Sequence, residues 1–409
     1  NFSKLVSILI GMSKQKHLGV FIAAAFIGPG TVTTCTLAGV DFGIELLWAL
    51  TISIVITYYF QEIAARLGWV LNEDLDQIIM RGIKQPLLRF TVLGLIVSSI
   101  FIGNAAYQGG NLSGTLIGLQ LLSDESISKT ILMILIGLGV LAMLWNGRFE
   151  LIKRLLMLLV VLMGISFLFT AIYLGPGILS LLKAAFIPTF KGSNTLMIVA
   201  LVGTTVVPYN LFLHTALVKQ SRSEISSHRL LKKDALFSIL IGGLISMAIL
   251  VTAASAGSQG ISSVIDLAAI LKPSLGEWSK YIVGFGLFAA GFTSSITAPL
   301  AAGLVTASVF RSKEGAVSER FSKFAAILVF AIGWVVTMIG SAPIEIIKFA
   351  QIANGILLPI VAITLFILSR NKSLLGELVN TKGQNILGVI LVLFTLILGL
   401  MGLSKALGL

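Results

Sequence analysis

The sequence has little charge, few histidines and a single cysteine. Of its 409 residues, 11% are Asp, Glu, Lys or Arg, three are His and one is Cys, whereas 56% are hydrophobic. With Cys35 alone, no disulfide can form within the chain. No group of His, Cys, Asp or Glu with metal-ligand or acid–base spacing falls inside an apolar run, so the sequence argues against an enzyme.

Basic tracts are also missing, although the formal net charge is +12. The basic residues are scattered through short loops between apolar runs, which is not the pattern of a nucleic-acid-binding surface. This composition is typical of a polytopic protein of the lipid bilayer. We expect one all-α transmembrane domain that covers residues 1–409.

What the sequence does contain is a series of apolar runs of membrane-spanning length. We predict eleven spans: 15–39, 44–66, 87–108, 128–146, 149–174, 195–218, 234–256, 280–309, 322–341, 346–369 and 384–405. With the N-terminus inside, 22 of the 29 basic residues lie on the inner side and 7 on the outer side. The positive-inside rule therefore predicts a multi-pass protein of the inner (plasma) membrane, with a cytoplasmic N-terminus and the C-terminus outside.

Two proline-centred breaks interrupt the first and sixth spans, at residues 28–31 (GPGT) and 207–210 (VPYN). Broken helices in a bilayer are tolerated where they line a cavity or a ligand, although either break alone could be a packing kink. Because the breaks lie five spans apart, we predict inverted repeats over about 15–174 and 195–369, with 384–405 as an extra helix. The substrate site is then expected between the two breaks.

Several runs resemble one family. The run TVVPYNLFLHTALVKQSR at 205–222 resembles the sixth-span pattern TVMPHNLYLHSALVQSR of the Nramp metal-ion transporters. GPGT stands at the family's DPGN, and QEIAARLG, AAGFTSSIT and AQIANGILLP are similar to its spans two, eight and ten. The resemblance implies the LeuT-like fold, in which helices 1 and 6 are broken.

The family's metal ligands are largely replaced. By this resemblance Gly28 stands for the Asp of DPGN, Thr31 for its Asn, and Val207 for the Met of the sixth span, whereas Gln351 keeps the span-ten Gln. Without a carboxylate and a thioether, the site loses its preference for transition metals. Tyr209 replaces the first His of the sixth-span pattern.

The family's proton path is neutralised in the same way. Gln108 and Asn111 stand at the third-span Asp and Glu, and only His214 is left as a titratable group within a span. All seventeen acidic residues fall in loops or at span ends, and Glu62 precedes Arg66 by four residues, the spacing of a helical ion pair. We therefore expect no proton coupling of the family type.

A sodium site is the alternative suggested by span eight. Residues 290–295 (AGFTSS) are similar to the segment with which LeuT-like sodium-coupled transporters bind sodium. Carried over, the sodium ligands would be the carbonyls of Ala24, Ile27 and Ala290 and the hydroxyls of Thr293 and Ser294. The other interpretation is that these small residues only allow close helix packing.

Gly28 and Gly30 leave room for a ligand, and the amides that begin the second half of span one favour an anion or a carboxylate. Tyr107 is a further candidate for a neutral hydrogen bond. The predicted substrate-binding residues are Gly28, Gly30, Thr31, Val207, Tyr209, Gln351 and Asn354.

Three functions are open at this stage. The first is an Nramp-related secondary transporter, sodium-coupled, that moves a small anionic or zwitterionic solute such as bicarbonate or a carboxylate. The second is a divalent metal cation transporter for a hydrated, magnesium-like ion, since magnesium keeps its waters. The third is a non-transporting receptor or scaffold. We expect the first, with Na⁺ as the only additional ion and no cofactor.

Overall fold

A computed structural model describes residues 27–83, 85–146, 150–222, 227–255, 264–309, 319–340 and 342–408. The regular elements in these ranges are all helical, as expected where lipid offers no hydrogen bonds and the backbone must pair within each segment. The helices are α1 (Pro29–Phe42), α2 (Leu47–Leu71), α3 (Leu75–Gly82), α4 (Pro86–Leu122), α5 (Lys129–Asn146), α6 (Glu150–Leu174), α7 (Ile178–Phe186), α8 (Thr195–Thr205), α9 (Pro208–Gln220), α10 (His228–Ser255), α11 (Val264–Ala269), α12 (Lys272–Leu275), α13 (Trp278–Val309), α14 (Glu319–Ile339), α15 (Pro343–Ser369), α16 (Lys372–Leu375) and α17 (Lys382–Ala406).

The predicted spans agree with these helices. Nine stretches of the described chain are long and apolar enough to cross a membrane. One of them, Pro29–Leu71, contains the described part of span one together with span two, and Lys129–Leu144 is a shorter apolar helix at span four. The outward faces of α6, α7 and α17 are apolar, with Ile172, Phe186 and Ile390 exposed, as suits contact with lipid tails.

The second predicted break is present in the described chain. Of the first break, the structure describes the side on which α1 begins. α1 begins at Pro29 after an extended Gly28, and α8 ends at Thr205 before α9 begins at Pro208. Because proline has no amide hydrogen, the Thr204 carbonyl cannot receive its helical hydrogen bond from residue 208. The helix is therefore interrupted at the second break in the interior of the molecule, and at the first the described chain enters α1 through the extended Gly28.

α8 and α15 touch backbone to backbone beside the second break. A Cβ on Gly203 would overlap the Gln351 carbonyl oxygen and would lie 2.6 Å from the Gly355 nitrogen. A Cβ on Gly355 would lie 2.5 Å from the Val199 carbonyl oxygen. Small residues at helix crossings allow such close approach in membranes. α15 is thus set directly against the break.

α4 occupies a central position and packs along α13. A Cβ on Gly118 would lie 2.6 Å from the Gly284 carbonyl oxygen, and one on Gly291 would lie 2.6 Å from the Asn111 carbonyl oxygen. α4 also contacts α15, α14 and α1. This placement presents one face of α4 to the first break and to α15.

A group of charged residues is buried at the C-terminal part of α2. Glu62 lies 3.3 Å from Arg66, 3.0 Å from the His228 ring nitrogen Nε2 and 3.3 Å from the Lys232 ammonium, and we call these four residues the Glu62 cluster. Glu62 is 6% exposed and Arg66 2%. The predicted ion pair between Glu62 and Arg66 is confirmed, and it belongs to a larger network that connects α2 with α10.

Candidate functional site

The first break is bordered by α4 on the side of Gly28. Gly28 is the N-terminal cap of α1 and has no side chain with which to cap it, Pro29 follows, and the first turn holds no acidic residue. A Cβ on Gly28 would lie 3.5 Å from the Tyr107 hydroxyl oxygen of α4. A side chain at position 28 would therefore extend toward the phenol of Tyr107.

Gln351 of α15 occupies the space beside Gly30. A Cβ on Gly30 would overlap the Gln351 amide nitrogen and would lie 3.0 Å from its oxygen Oε1. The Gln351 amide donates to the Ile347 carbonyl oxygen over 3.3 Å, and the side chain is 1% exposed. Among the described residues Oε1 has no hydrogen-bond partner. The Gln351 side chain thus lies against the break, with its nitrogen nearer to Gly30 and its unpaired oxygen beside it.

A pair of hydroxyls joins the two broken helices. The oxygens of Thr31 on α1 and Thr204 on α8 lie 3.2 Å apart, and both residues are buried. Thr204 was not among the predicted residues. It precedes Pro208 by four residues, and that spacing alone could have identified it as a residue whose carbonyl is released by the break.

The second break contributes an apolar side chain and an aromatic pair. Val207 caps α9, is buried, and its carbonyl accepts from the Asn210 amide at 3.1 Å. Tyr209 packs edge to face against Tyr107, with ring centroids 5.7 Å apart and an interplanar angle of 65°. This contact links α9 to α4 next to Gly28.

Asn354 lies one turn beyond Gln351 on α15 and faces a different part of α4. Its oxygen Oδ1 is 3.1 Å from the position of a Cβ on Gly103, and it is 2% exposed. Its Nδ2 lacks a hydrogen-bond partner in the described part of the chain. Asn354 therefore extends the polar face of α15 past the break.

The residues at the family's third-span acids are neutral and buried. Gln108 donates through Nε2 to the Ser295 carbonyl oxygen at 3.0 Å, and its Oε1 is unpaired within the described ranges. The Asn111 nitrogen Nδ2 is likewise without a partner there. In the described residues, no group of three or more His, Cys, Asp or Glu could hold a metal ion. The surroundings of the breaks are rich in amides and hydroxyls.

The residues of the predicted sodium site are only partly described, because Ala24 lies outside the described ranges. Ile27 is buried against Gly164 of α6. The Thr293 hydroxyl donates to the carbonyl oxygens of Ala289 at 2.8 Å and Ala290 at 3.1 Å, so two of the predicted ligands bond to each other. Ser294 is half-buried. Sodium binding stays a prediction.

Comparisons with known proteins were made against this geometry. The family model described as natural resistance-associated macrophage protein-like (Nramp) matches residues 19–405. A divalent metal cation transporter MntH of Yersinia pestis (strain Pestoides F) is 26% identical over 382 residues, which are 91% of this chain and 90% of that protein. The corresponding protein of Chromohalobacter salexigens is 26% identical over 392 residues, 92% of this chain and 88% of its own.

Solved structures are similar over nearly the whole chain. A crystal structure of the Eremococcus coleocola manganese transporter, in complex with an aromatic bis-isothiourea compound, matches with a TM-score of 0.74 and 21% identity. The match covers 95% of this chain and 85% of that one. The expected fold is confirmed: an all-α, LeuT-like arrangement with broken first and sixth spans.

Proposed function

The chain belongs to the Nramp family, and from that premise we propose that it carries a divalent metal cation across the membrane. It is a multi-pass membrane transporter and not an enzyme. The excess of basic residues on one side supports placing it in the plasma membrane with a cytoplasmic N-terminus and the C-terminus outside.

The expectation of a sodium-coupled carrier for a small anion or zwitterion was wrong. The relatives that match about nine-tenths of the chain are named divalent metal cation transporters, and the similar solved structures are of a manganese transporter. They favour the second interpretation, a metal cation, over bicarbonate or a carboxylate. The prediction gave the backbone amides at the start of α1, which attract anions, more importance than the neutral side-chain oxygens near them.

The observation that carries the proposal is the orientation of Gln351. Its nitrogen end is bonded to the Ile347 carbonyl and is the part of the side chain nearest to Gly30, and its oxygen end, 3.0 Å from the position of a Cβ on Gly30, is buried and unpaired among the described residues. An unpaired buried carbonyl oxygen costs about 1–3 kcal/mol, so this arrangement favours a partner that supplies positive charge or a donated hydrogen.

Neutral ligands decide which cation fits. Gly28 and Val207 supply neither a carboxylate nor a thioether, and Thr31 offers a hydroxyl that already bonds to Thr204. A bare divalent ion without an acidic partner would pay the full cost of buried charge. A magnesium-like ion keeps several of its waters, and these can donate hydrogen bonds to neutral oxygens. We propose such a hydrated hard ion as the substrate.

Binding to the purified protein tests this assignment. We expect magnesium to raise the thermal midpoint and to give a measurable heat by titration calorimetry, and Gln351→Leu to weaken that affinity about tenfold, the effect of losing one hydrogen bond to an ionic partner. The matched control is Gln120→Leu on α4. It also removes an amide oxygen that has no hydrogen-bond partner among the described residues, but one that lies far along the helix from Tyr107.

Uptake of magnesium into proteoliposomes, followed with an enclosed fluorescent indicator, gives the transport readout. Manganese binding much tighter than magnesium binding would overturn the hydrated-ion assignment. No binding of either divalent ion, with the protein folded, would overturn the proposed function itself.

A further inference from the structure

The two glycines of the first break are complemented by side chains from two other helices. The position of a Gly28 side chain is bordered by the Tyr107 hydroxyl of α4 at 3.5 Å, and that of a Gly30 side chain is occupied by Gln351 of α15. The family's carboxylate would stand at Gly28. Among the described residues, the atom that a Cβ on Gly28 would meet is therefore a neutral oxygen from a different span.

Tyr107 is held firmly in this orientation. It is 3% exposed, and its ring rests edge to face on Tyr209. Its neighbours along the same face of α4 are Gly103, four residues before it, and Gly110, three residues after it. Tyr107 is thus a large side chain between two glycines, and the face that they form is directed toward α15.

α15 lies against both of these glycines. Asn354 Oδ1 is 3.1 Å from the position of a Cβ on Gly103, and Gln351 Nε2 is 3.9 Å from that of a Cβ on Gly110. The Tyr107 hydroxyl therefore lies in the space bounded by the first break and the polar face of α15. Gln351 Oε1, buried and unpaired within the described residues, is an independent sign that this space receives a ligand.

On the basis of the proposed function, we propose that Tyr107 is a specificity-determining ligand whose hydroxyl accepts a hydrogen bond from a water of the hydrated cation. A carboxylate on residue 28 would extend from α1 itself and replace such a water. A phenol that reaches across from α4 is neutral and can both accept and donate, so it suits a water-coated ion rather than a dehydrated transition metal. Tyr107 and Gln351 together then supply the oxygen atoms that span one, with glycine at positions 28 and 30, does not supply.

The test compares magnesium and manganese binding to the full-length protein in detergent or nanodiscs. Tyr107→Phe keeps the ring and its contact with Tyr209 but removes the oxygen. We expect an unchanged midpoint without ions and about five- to tenfold weaker magnesium binding, the scale of one hydrogen bond between neutral groups, here the phenol and a water of the hydrated ion. Tyr281→Phe, on an exposed ring at the start of α13, is the matched control and should leave the affinity unchanged.

Gly28→Asp provides the second arm, because it places a carboxylate next to the Tyr107 hydroxyl. We expect manganese binding to strengthen more than tenfold, and Tyr107→Phe in that background to cost less magnesium affinity than in the wild type, since the carboxylate displaces the water that the hydroxyl would bind.

The outcomes distinguish a failure of the proposed role of Tyr107 from a failure of the proposed function. If magnesium binds the wild type and Tyr107→Phe leaves its affinity unchanged, the role of Tyr107 is overturned and the proposed function stands. If neither divalent ion binds the folded wild type, both are overturned. A loss of affinity that Gly28→Asp does not reduce would show that the hydroxyl acts through packing instead of through the ion, and would overturn the inference as well.

Discussion

The buried surroundings of the breaks and the Glu62 cluster are two polar regions of one molecule with opposite composition. In the cluster, a carboxylate that is 6% exposed is surrounded by Arg66, His228 and Lys232. Around the breaks, the side chains that meet Gly28 and Gly30 are neutral. This fold therefore buries charge at the end of a span, whereas around the breaks it buries neutral groups.

The two regions also differ in how well their polar atoms are paired. The Arg66 guanidinium donates to the Leu378 carbonyl at 2.8 Å as well as to Asn380, and Asn380 donates to Tyr59 at 3.1 Å. Near the breaks, Gln351 Oε1 is unpaired among the described residues. Within the cluster, the Nε of Arg66 also lacks a partner among the described residues, but the other two guanidinium nitrogens are bonded, whereas the only acceptor atom of the Gln351 side chain is unpaired there.

The largest effect is expected from breaking the cluster. Glu62→Ala removes the carboxylate that Arg66, His228 and Lys232 share, and leaving the buried Arg66 guanidinium without its carboxylate should destabilise the protein by about 3–5 kcal/mol. Thermal or chemical unfolding in detergent measures this. Glu277→Ala, which removes an exposed partner of Lys272, is the control and should cost less than about 1 kcal/mol. A similar cost for both variants would show that burial does not strengthen the cluster.

The next effect sharpens the contrast from the side of the breaks. Gly30→Ala places a methyl group where the Gln351 amide lies, so it should cost about 1–3 kcal/mol through overpacking and displace that amide, including its unpaired oxygen. Loss of magnesium-dependent stabilisation is the specific readout. Gly94→Ala is the matched control on α4, since a Cβ there meets nothing within 4 Å. Undiminished magnesium binding by Gly30→Ala would contradict the placement of Gln351 in the site.

The smallest effect concerns the hydroxyl pair between the broken helices. Thr31→Val removes the 3.2 Å contact with Thr204 at nearly constant volume, and a loss of about 0.5–1.5 kcal/mol is expected. The double variant with Thr204→Val should cost less than the sum of the two single changes, because the contact between the two hydroxyls can be lost only once. Unfolding of all three variants checks this, and strict additivity would mean that the two hydroxyls do not interact.

The helices and breaks could be predicted because local chemistry fixes them. Apolar length sets the spans, Pro29 and Pro208 set the breaks, and the spacing of Glu62 and Arg66 sets their ion pair. The site could be predicted only in part. Gly30 and Gln351 do meet at the break, as expected from the family pattern.

The rest depends on how the helices are rotated against one another. Nothing in the local sequence aims Tyr107 at Gly28, since that follows from the packing of α4 against α1. The same holds for Thr204 opposite Thr31, and for Asn354, which faces Gly103. The prediction of the substrate was wrong for a related reason. The side-chain amide of Gln351 offers both a donor and an acceptor, and which of its two ends is left unpaired depends on how the helices pack.

The contact between α8 and α15 at Gly203 and Gly355 has a kinetic consequence. Where backbone meets backbone, no layer of flexible side chains remains to absorb sliding of one helix past the other. We therefore expect the edge of the second break and Gln351 to move together when α8 and α15 shift.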